Sequence, residues 1–144
     1  PELQACGLTQ ALLLLAEGFE ERSGIPVHLV MDKSLGRFRD DVELTLFRMV
    51  QEGLTNVLRH SNSSSVEVSL NQTEGQLLIH LSDDGARTSP PNCPPEGTNG
   101  VGLSGMRERV QQLGGSFQVH HQSHGTSLWA AVPSIERYQP VCVS

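Results

Sequence analysis

The sequence predicts a single α+β domain, and three observations carry that expectation. Apolar residues recur at helical spacing in three separate stretches, near 8–22, 40–60 and 103–113. Strand-like runs with alternating apolar and polar residues occur as two adjacent pairs, each joined by a short glycine-containing connection. A chain of 144 residues falls in the usual size range of one domain and can bury a substantial core. The hydrophobic fraction of 37%, with 14 glycines beside it, is at the globular level, and only 4% of residues are aromatic, so aliphatic side chains must build that core.

Taken in order, Leu8, Ala11, Leu12, Leu15, Ala16 and Phe19 form the stripe of a first helix, which Ser23-Gly24 and Pro26 end. PVHLVMD alternates as a short strand running to a turn at Gly36. From Asp40 the period returns to helical, with Leu46, Phe47, Val50, Leu54, Val57 and Leu58 in one stripe and Asp40 and Asp41 placed to cap its start. SVEVSL and QLLIHL alternate on either side of NQTEG, a hairpin with Gly75 at its turn. Residues 86–101 hold four prolines and two glycines and predict a long loop. Leu103, Met106, Val110 and Leu113 then mark a third helix, stopped by Gly114-Gly115. SFQVHH and SLWAAVP close the fold as a second hairpin around HGT. The core is expected over residues 7–133, with a flexible tail over 134–144.

Composition excludes several classes. The net charge is −6 and the pI is about 5.4; no run of Lys or Arg accumulates, so the electrostatic footprint of a nucleic-acid binder is missing. Three widely spaced cysteines, Cys6, Cys93 and Cys142, fit neither a disulfide framework nor a CxxC metal site and point to a reducing cytosolic setting. The longest apolar run, ALLLLA at 11–16, is too short to span a bilayer, so no membrane contact is expected from this chain.

Within the second helix, QEGLTNVLRH places Glu52, Asn56 and His60 four residues apart, on one helical face. A solvated surface is the plain explanation for such a face. Yet Asn is a mediocre helix former and Gly53 costs about 1 kcal/mol relative to Ala, so a face selected only for helix stability would hold neither. An amide oxygen is a good hard ligand for Mg2+, and a carboxylate one turn away can orient or deprotonate a nucleophile. Arg59 and His60 are placed to meet phosphate oxygens.

SDDGAR, at 82–87, contains the Asp-Gly turn signal, but no second strand follows it directly. Asp83 at a strand end can therefore present its carboxylate to a ligand amine, and Gly85 lets backbone approach closely. GVGLSG satisfies G-x-G-x-x-G with Gly100, Gly102 and Gly105. A dinucleotide fingerprint also needs a preceding strand and an acidic residue about 20 positions later. Neither is present, since no Asp or Glu occurs between Glu108 and Glu136. What remains is a glycine loop opening a helix, whose free N–H groups and positive dipole end suit phosphate. His120, His121 and His124 lack a nearby Cys or carboxylate and read as solvated residues rather than a metal cluster.

In this order, the segments resemble the catalytic ATP-binding domain of two-component sensor histidine kinases of the nitrate-sensor and hexose-phosphate-sensor type. QEGLTNVLRHS resembles that family's N-box, SDDG its first glycine box, and GVGLSGMRERVQQLGG its second. The resemblance implies the Bergerat fold, a two-layer α/β sandwich with helices on one face of a mixed sheet and an ATP lid, here 86–101. It implies ATP and Mg2+ as ligands: Asn56 as the metal ligand, Glu52 as the N-box acid, Arg59 and His60 near the phosphates. Asp83 would accept from the adenine amine, with Gly85 beside it. Gly100, Gly102, Leu103, Gly105 and Met106 would form the lid end and helix start, with Thr126 behind the base.

The resemblance further implies γ-phosphoryl transfer to a histidine on a dimerisation segment, relay to a response regulator, a homodimer only in the full-length protein, and a cytoplasmic location as part of a membrane sensor. None of the six histidines is followed by an acidic residue as the family's acceptor is, so the acceptor is expected outside this chain. One departure stands out. The first glycine box usually reads D-x-G-x-G, and Arg87 occupies the second glycine position, a change expected to alter nucleotide affinity or lid geometry. A serine kinase of the anti-sigma-factor type, and a non-catalytic nucleotide-binding module of the same fold, are the competing expectations.

Overall fold

The computed structural model describes residues 2–32, 35–60, 64–85, 105–122 and 125–134. The predicted lid at 86–101 with Arg87 and Gly100, the neighbouring Gly102 and Leu103, and the tail after Ser134 lie outside the described residues. Five strands, β1 (Val27–Met31), β2 (Val66–Thr73), β3 (Gln76–Asp83), β4 (Ser116–Gln122) and β5 (Gly125–Pro133), form one sheet in the order β1-β2-β3-β5-β4. β1 runs parallel to β2 and every other pairing is antiparallel, so the sheet is mixed. α1 (Glu2–Ser23), α2 (Asp40–His60) and a shorter α3 over 105–112 supply the second layer.

Strict alternation along the strands separates the two sheet faces. Val66, Val68 and Leu70 of β2, Leu77, Ile79 and Leu81 of β3, and Leu128, Ala130 and Val132 of β5 are all buried. They meet Leu12 and Phe19 of α1, Leu46, Met49, Val50 and Leu54 of α2, and Val110 of α3 in one hydrophobic core. Each fully buried Leu or Val contributes about 1.5–3 kcal/mol relative to exposure. The opposite sheet face stays open: Val30, Leu78 and Trp129 are 55%, 37% and 46% exposed.

Several elements differ in detail from expectation, each for a local reason. α1 extends upstream of Leu8, but across a kink at Gly7 (φ 86°, ψ 171°), where a Cβ would stand 2.7 Å from Arg37 Cδ. The β2–β3 loop is only Glu74-Gly75, with φ of 44° and 79°, the signature of a type I′ turn, so the strands run on through Thr73 and Gln76. Glu43 N–H donates to Arg39 O at 3.0 Å, which places Asp40 and Asp41 in the first turn of α2 rather than at its cap. Asp41 accepts the Val42 N–H there. α3 ends as expected: Gly114 (φ 85°) donates to Gln111 O and Gly115 to Val110 O, the paired bonds of a Schellman motif.

Among the described residues Glu43 is the buried charge, 1% exposed. Its carboxylate accepts from Arg37 Nε at 3.1 Å and Nη2 at 3.2 Å, and from the Phe38 N–H at 3.0 Å. Three donors satisfy it, and they tie the β1–α2 connection to the first turn of α2 and to the elbow of α1.

On the open face His80 and Trp129 stand in cross-strand register and stack with centroids 3.7 Å apart. Burial beneath the indole holds the imidazole below its ordinary pKa of 6.5, and Glu67 offsets this only in part. Because the folded value lies below the unfolded one, folding favours neutral His80. That share of stability is complete above pH 6.5 and is lost as pH falls through the folded value. Trp129 is the only tryptophan, so its fluorescence should show a titration centred below pH 6.5 that His80→Gln removes. A midpoint at or above 6.5 would contradict the burial argument.

Candidate functional site

α2 lies unusually close to the sheet at Gly53. A Cβ there would stand 2.9 Å from Leu81 Cδ1 and 3.0 Å from Leu128 Cδ1, so the glycine lets the helix backbone seat directly on the side-chain ends of β3 and β5. The expectation that it marked a functional face is corrected accordingly. Its effect on the site is indirect: it brings the helix flank carrying Glu52 and Asn56 down onto the sheet. Both residues are half-buried, and Arg59 is exposed. The Asn56 Oδ1 is fully buried with no hydrogen-bond partner. His60 closes the helix, and its side chain lies outside the described atoms.

The same end of the sheet carries Asp83. Five residues, 61–65, join α2 to β2, whose first residue Val66 pairs with Asp83, the last of β3. The C-termini of α2 and β3 therefore lie toward the same end of the sheet. In the β3–β5 ladder Ser82 pairs with Ser127, and one further step brings Thr126 opposite Asp83. Asp83 Oδ1 accepts the Gly85 N–H at 3.0 Å, and Gly85 is buried. At Gly125 (φ 126°) a Cβ would stand 2.0 Å from the Asp83 carbonyl oxygen, a contact only glycine permits. α3 ends against the opposite end of β5, where a Cβ on Gly115 would meet Ala131 O at 2.2 Å. Gly105 is half-buried at its start, and Met106 packs against the core.

The structure thus gathers Glu52, Asn56, Asp83, Gly85 and Thr126 around one end of the sheet. It also contains a residue that sequence reasoning passed over. Asp84 accepts the backbone N–H groups of Ser64 at 2.9 Å and Ser65 at 3.1 Å, and both serine hydroxyls. Its Ser64 hydroxyl bond first, then the two amides, bring its pKa down to about 2, so it is ionised at any ordinary pH. In sequence Asp84 looks like half of a tight turn, and its partners lie 19 and 20 residues away in a serine run without pattern.

Comparison with known proteins gives this arrangement a family. Residues 41–136 match the model of the histidine kinase-, DNA gyrase B-, and HSP90-like ATPases, and the chain belongs to this family. It is 36% identical over 138 residues to the signal transduction histidine-protein kinase/phosphatase UhpB of Salmonella typhimurium, covering 95% of this chain and 26% of that protein. It is 34% identical over 132 residues to the oxygen sensor histidine kinase NreB of Staphylococcus carnosus, covering 91% and 38%. The blue-light activated histidine kinase of Erythrobacter litoralis EL346 superposes with a TM-score of 0.69 at 28% identity, over 88% of this chain and 45% of that one. The chain therefore spans between a quarter and two fifths of the curated relatives it matches. The mixed sheet with helices on one face is the expected Bergerat ATP-binding fold. Among the described residues no helix is long and apolar enough to cross a membrane.

The donor set fits the metal the family implies. A buried amide oxygen without a protein partner is a hard, neutral ligand for Mg2+, and Glu52 one turn away adds negative charge to the same flank. Gly125 offers a direct check on how the site is built. Gly125→Ala should force β5 away from the Asp83 carbonyl and cost roughly 1–3 kcal/mol of stability, with ATP affinity falling in parallel. Calorimetric unfolding and ATP titration measure both. Parental values for each would mean that the close approach is not a constraint.

Proposed function

We propose that this chain is the catalytic ATP-binding domain of a sensor histidine kinase. The observation that carries the reading is the unpartnered, buried Asn56 Oδ1 on the helix flank that lies toward the Asp83 end of the sheet. In this reading Asn56 would hold Mg2+, and Glu52 orients or deprotonates the attacking nucleophile. Arg59 and His60 face the phosphates, joined by Gly100, Gly102, Leu103, Gly105 and Met106 at the lid end and the start of α3. Asp83 accepts from the adenine amine, with Gly85 and Thr126 lining the base. Mg2+ would neutralise the charge gathering on the transferred phosphoryl group; what the protein supplies is chiefly positioning.

The γ-phosphoryl acceptor is a histidine on a separate dimerisation segment of the same protein, from which phosphate passes to a response regulator. The full-length protein acts as a homodimer, with this domain on the cytoplasmic side of a membrane sensor. The names of the relatives support this class, since UhpB, NreB and the blue-light receptor are all histidine kinases.

Removing a buried, unpaired acceptor removes its desolvation penalty of about 1–3 kcal/mol. Asn56→Ala should therefore leave the apo domain folded and at least as stable as the parent, while Mg-dependent ATP affinity and phosphoryl transfer by the full-length protein collapse. Isothermal titration with and without Mg2+ decides it, and equal Mg-dependent affinities would take Asn56 out of the site. Incubated with labelled ATP, the 144-residue chain alone should gain no phosphate on its six histidines. Adding the upstream segment should yield acid-labile, alkali-stable label. Acid-stable label on serine would point to a serine kinase instead.

A further inference from the structure

Asp84 spends its whole hydrogen-bonding capacity on two residues of another element. Ser64 and Ser65 each direct a backbone amide and a hydroxyl to its carboxylate. The cluster is solvent-exposed, and exposed charge contacts add little to stability, so stability alone does not explain so complete an arrangement. Its position does. The β2–β3 ladder ends at Val66 and Asp83, and one step further out the Asp84 side chain takes over where backbone pairing stops.

What is held there is the peptide leading from Asp83 to Gly85. The Gly85 N–H is a donor to Asp83 Oδ1, so the direction of the Asp83 carboxylate depends on where the Asp84–Gly85 peptide sits. On the other side, Gly125 presses against the Asp83 carbonyl, and its absent Cβ would also stand 3.4 Å from Asp84 Cα. Asp83 is thus located from the β5 side by backbone contact and from the β2 side through Asp84.

We propose that Asp84 is a positioning residue for base recognition: by stapling Ser64 and Ser65 to the end of β3, it fixes the Gly85 amide that aims the Asp83 carboxylate at the adenine amine. This rests on the reading of Asp83 as the base-recognising residue. The staple also joins that residue to Ser64 and Ser65, which lead into β2.

The test is base selectivity, because loss of folded protein lowers ATP and GTP binding alike whereas a misdirected carboxylate lowers their ratio. Titrations of ATP and GTP would be run on the parent chain and on Asp84→Ala, Asp84→Asn, the Ser64→Ala/Ser65→Ala double variant and Asp83→Asn. Asp84→Ala should lose roughly tenfold in ATP affinity with GTP affinity little changed, so that most of the preference for ATP disappears. The double serine variant should move the same way by a smaller factor. Asp84→Asn should retain the preference within about threefold, since an amide oxygen still accepts both backbone N–H groups and its NH2 can donate to a serine hydroxyl. Parental selectivity in Asp84→Ala, with Asp83→Asn impaired, overturns the positioning role alone. A parent without preference for ATP, or an Asp83→Asn variant equal to it, overturns the reading of Asp83 and this inference with it.

Discussion

The seat of α2 on the sheet at Gly53 is the constraint on which the rest of the structure depends. With no side chain between them, the helix backbone rests on the ends of Leu81 and Leu128. Three residues further along, about 4.5 Å up the helix axis, comes Asn56. Two residues beyond Leu81 comes Asp83, and two before Leu128 comes Thr126. One packing contact therefore sets the helix flank, the strand end and the neighbouring strand start relative to one another. The helix-propensity penalty of Gly53, about 1 kcal/mol, is offset by core packing on both sides of the contact, where Val50 and Leu54 are each 2% exposed.

Around that contact the fold is fixed by charges used as pegs. Glu43 is fully buried and satisfied by Arg37 and the Phe38 amide, which secures the first turn of α2. Asp84 is exposed and satisfied by two serines, which ties the start of β2 to the end of β3. The start of the helix that carries Glu52 and Asn56 is thus tied by a buried carboxylate to the connection before it. Glu43 is neutralised within a dry environment, where a lost partner is costly; Asp84 sits in water, where its bonds define geometry more than they add stability. The contrast follows from place: one carboxylate lies in the core, and the other at the surface.

Much of this fold was legible in the sequence because it rests on period. The stripes of α1 and α2, the alternation of β2 and β3 and the glycine stop of α3 all reflect burial of one face, which repeats along the chain and can be counted. The pairing of β5 between β3 and β4 is not periodic, and no local signal announces it. Of the proposed site, Asn56 and Asp83 stand out in sequence because an amide within a helix and a carboxylate at the end of a strand fit poorly with their local structure. Gly53 stood out for the same reason, and there the misfit was a matter of packing. Asp84 and Gly125 were missed because their meaning lies in contacts with Ser64, Ser65 and the Asp83 carbonyl, which exist only once the sheet has formed. A residue whose role is to hold another element carries no trace of that element beside it in sequence.

Two buried side-chain atoms among the described residues lack a partner, Asn56 Oδ1 and His80 Nε2, and the difference between them shows how such an atom becomes evidence. An imidazole can choose its tautomer, so a bare Nε2 under the Trp129 indole forgoes a single acceptor interaction, and burial keeps the ring neutral. It faces the open side of the sheet, away from the packed helices. An amide carbonyl has no such choice: its oxygen keeps its full dipole and both lone pairs in every state, and leaving it dry has a standing cost. That cost is incurred on the helix flank beside Glu52, at the sheet end that also presents Asp83 and Thr126. An acceptor that the fold leaves unpaired, beside acidic groups that need a counter-charge, suits the proposed role as a cation ligand. His80 has one acidic neighbour acting on it, Glu67 on the adjoining strand, and lies under the Trp129 ring.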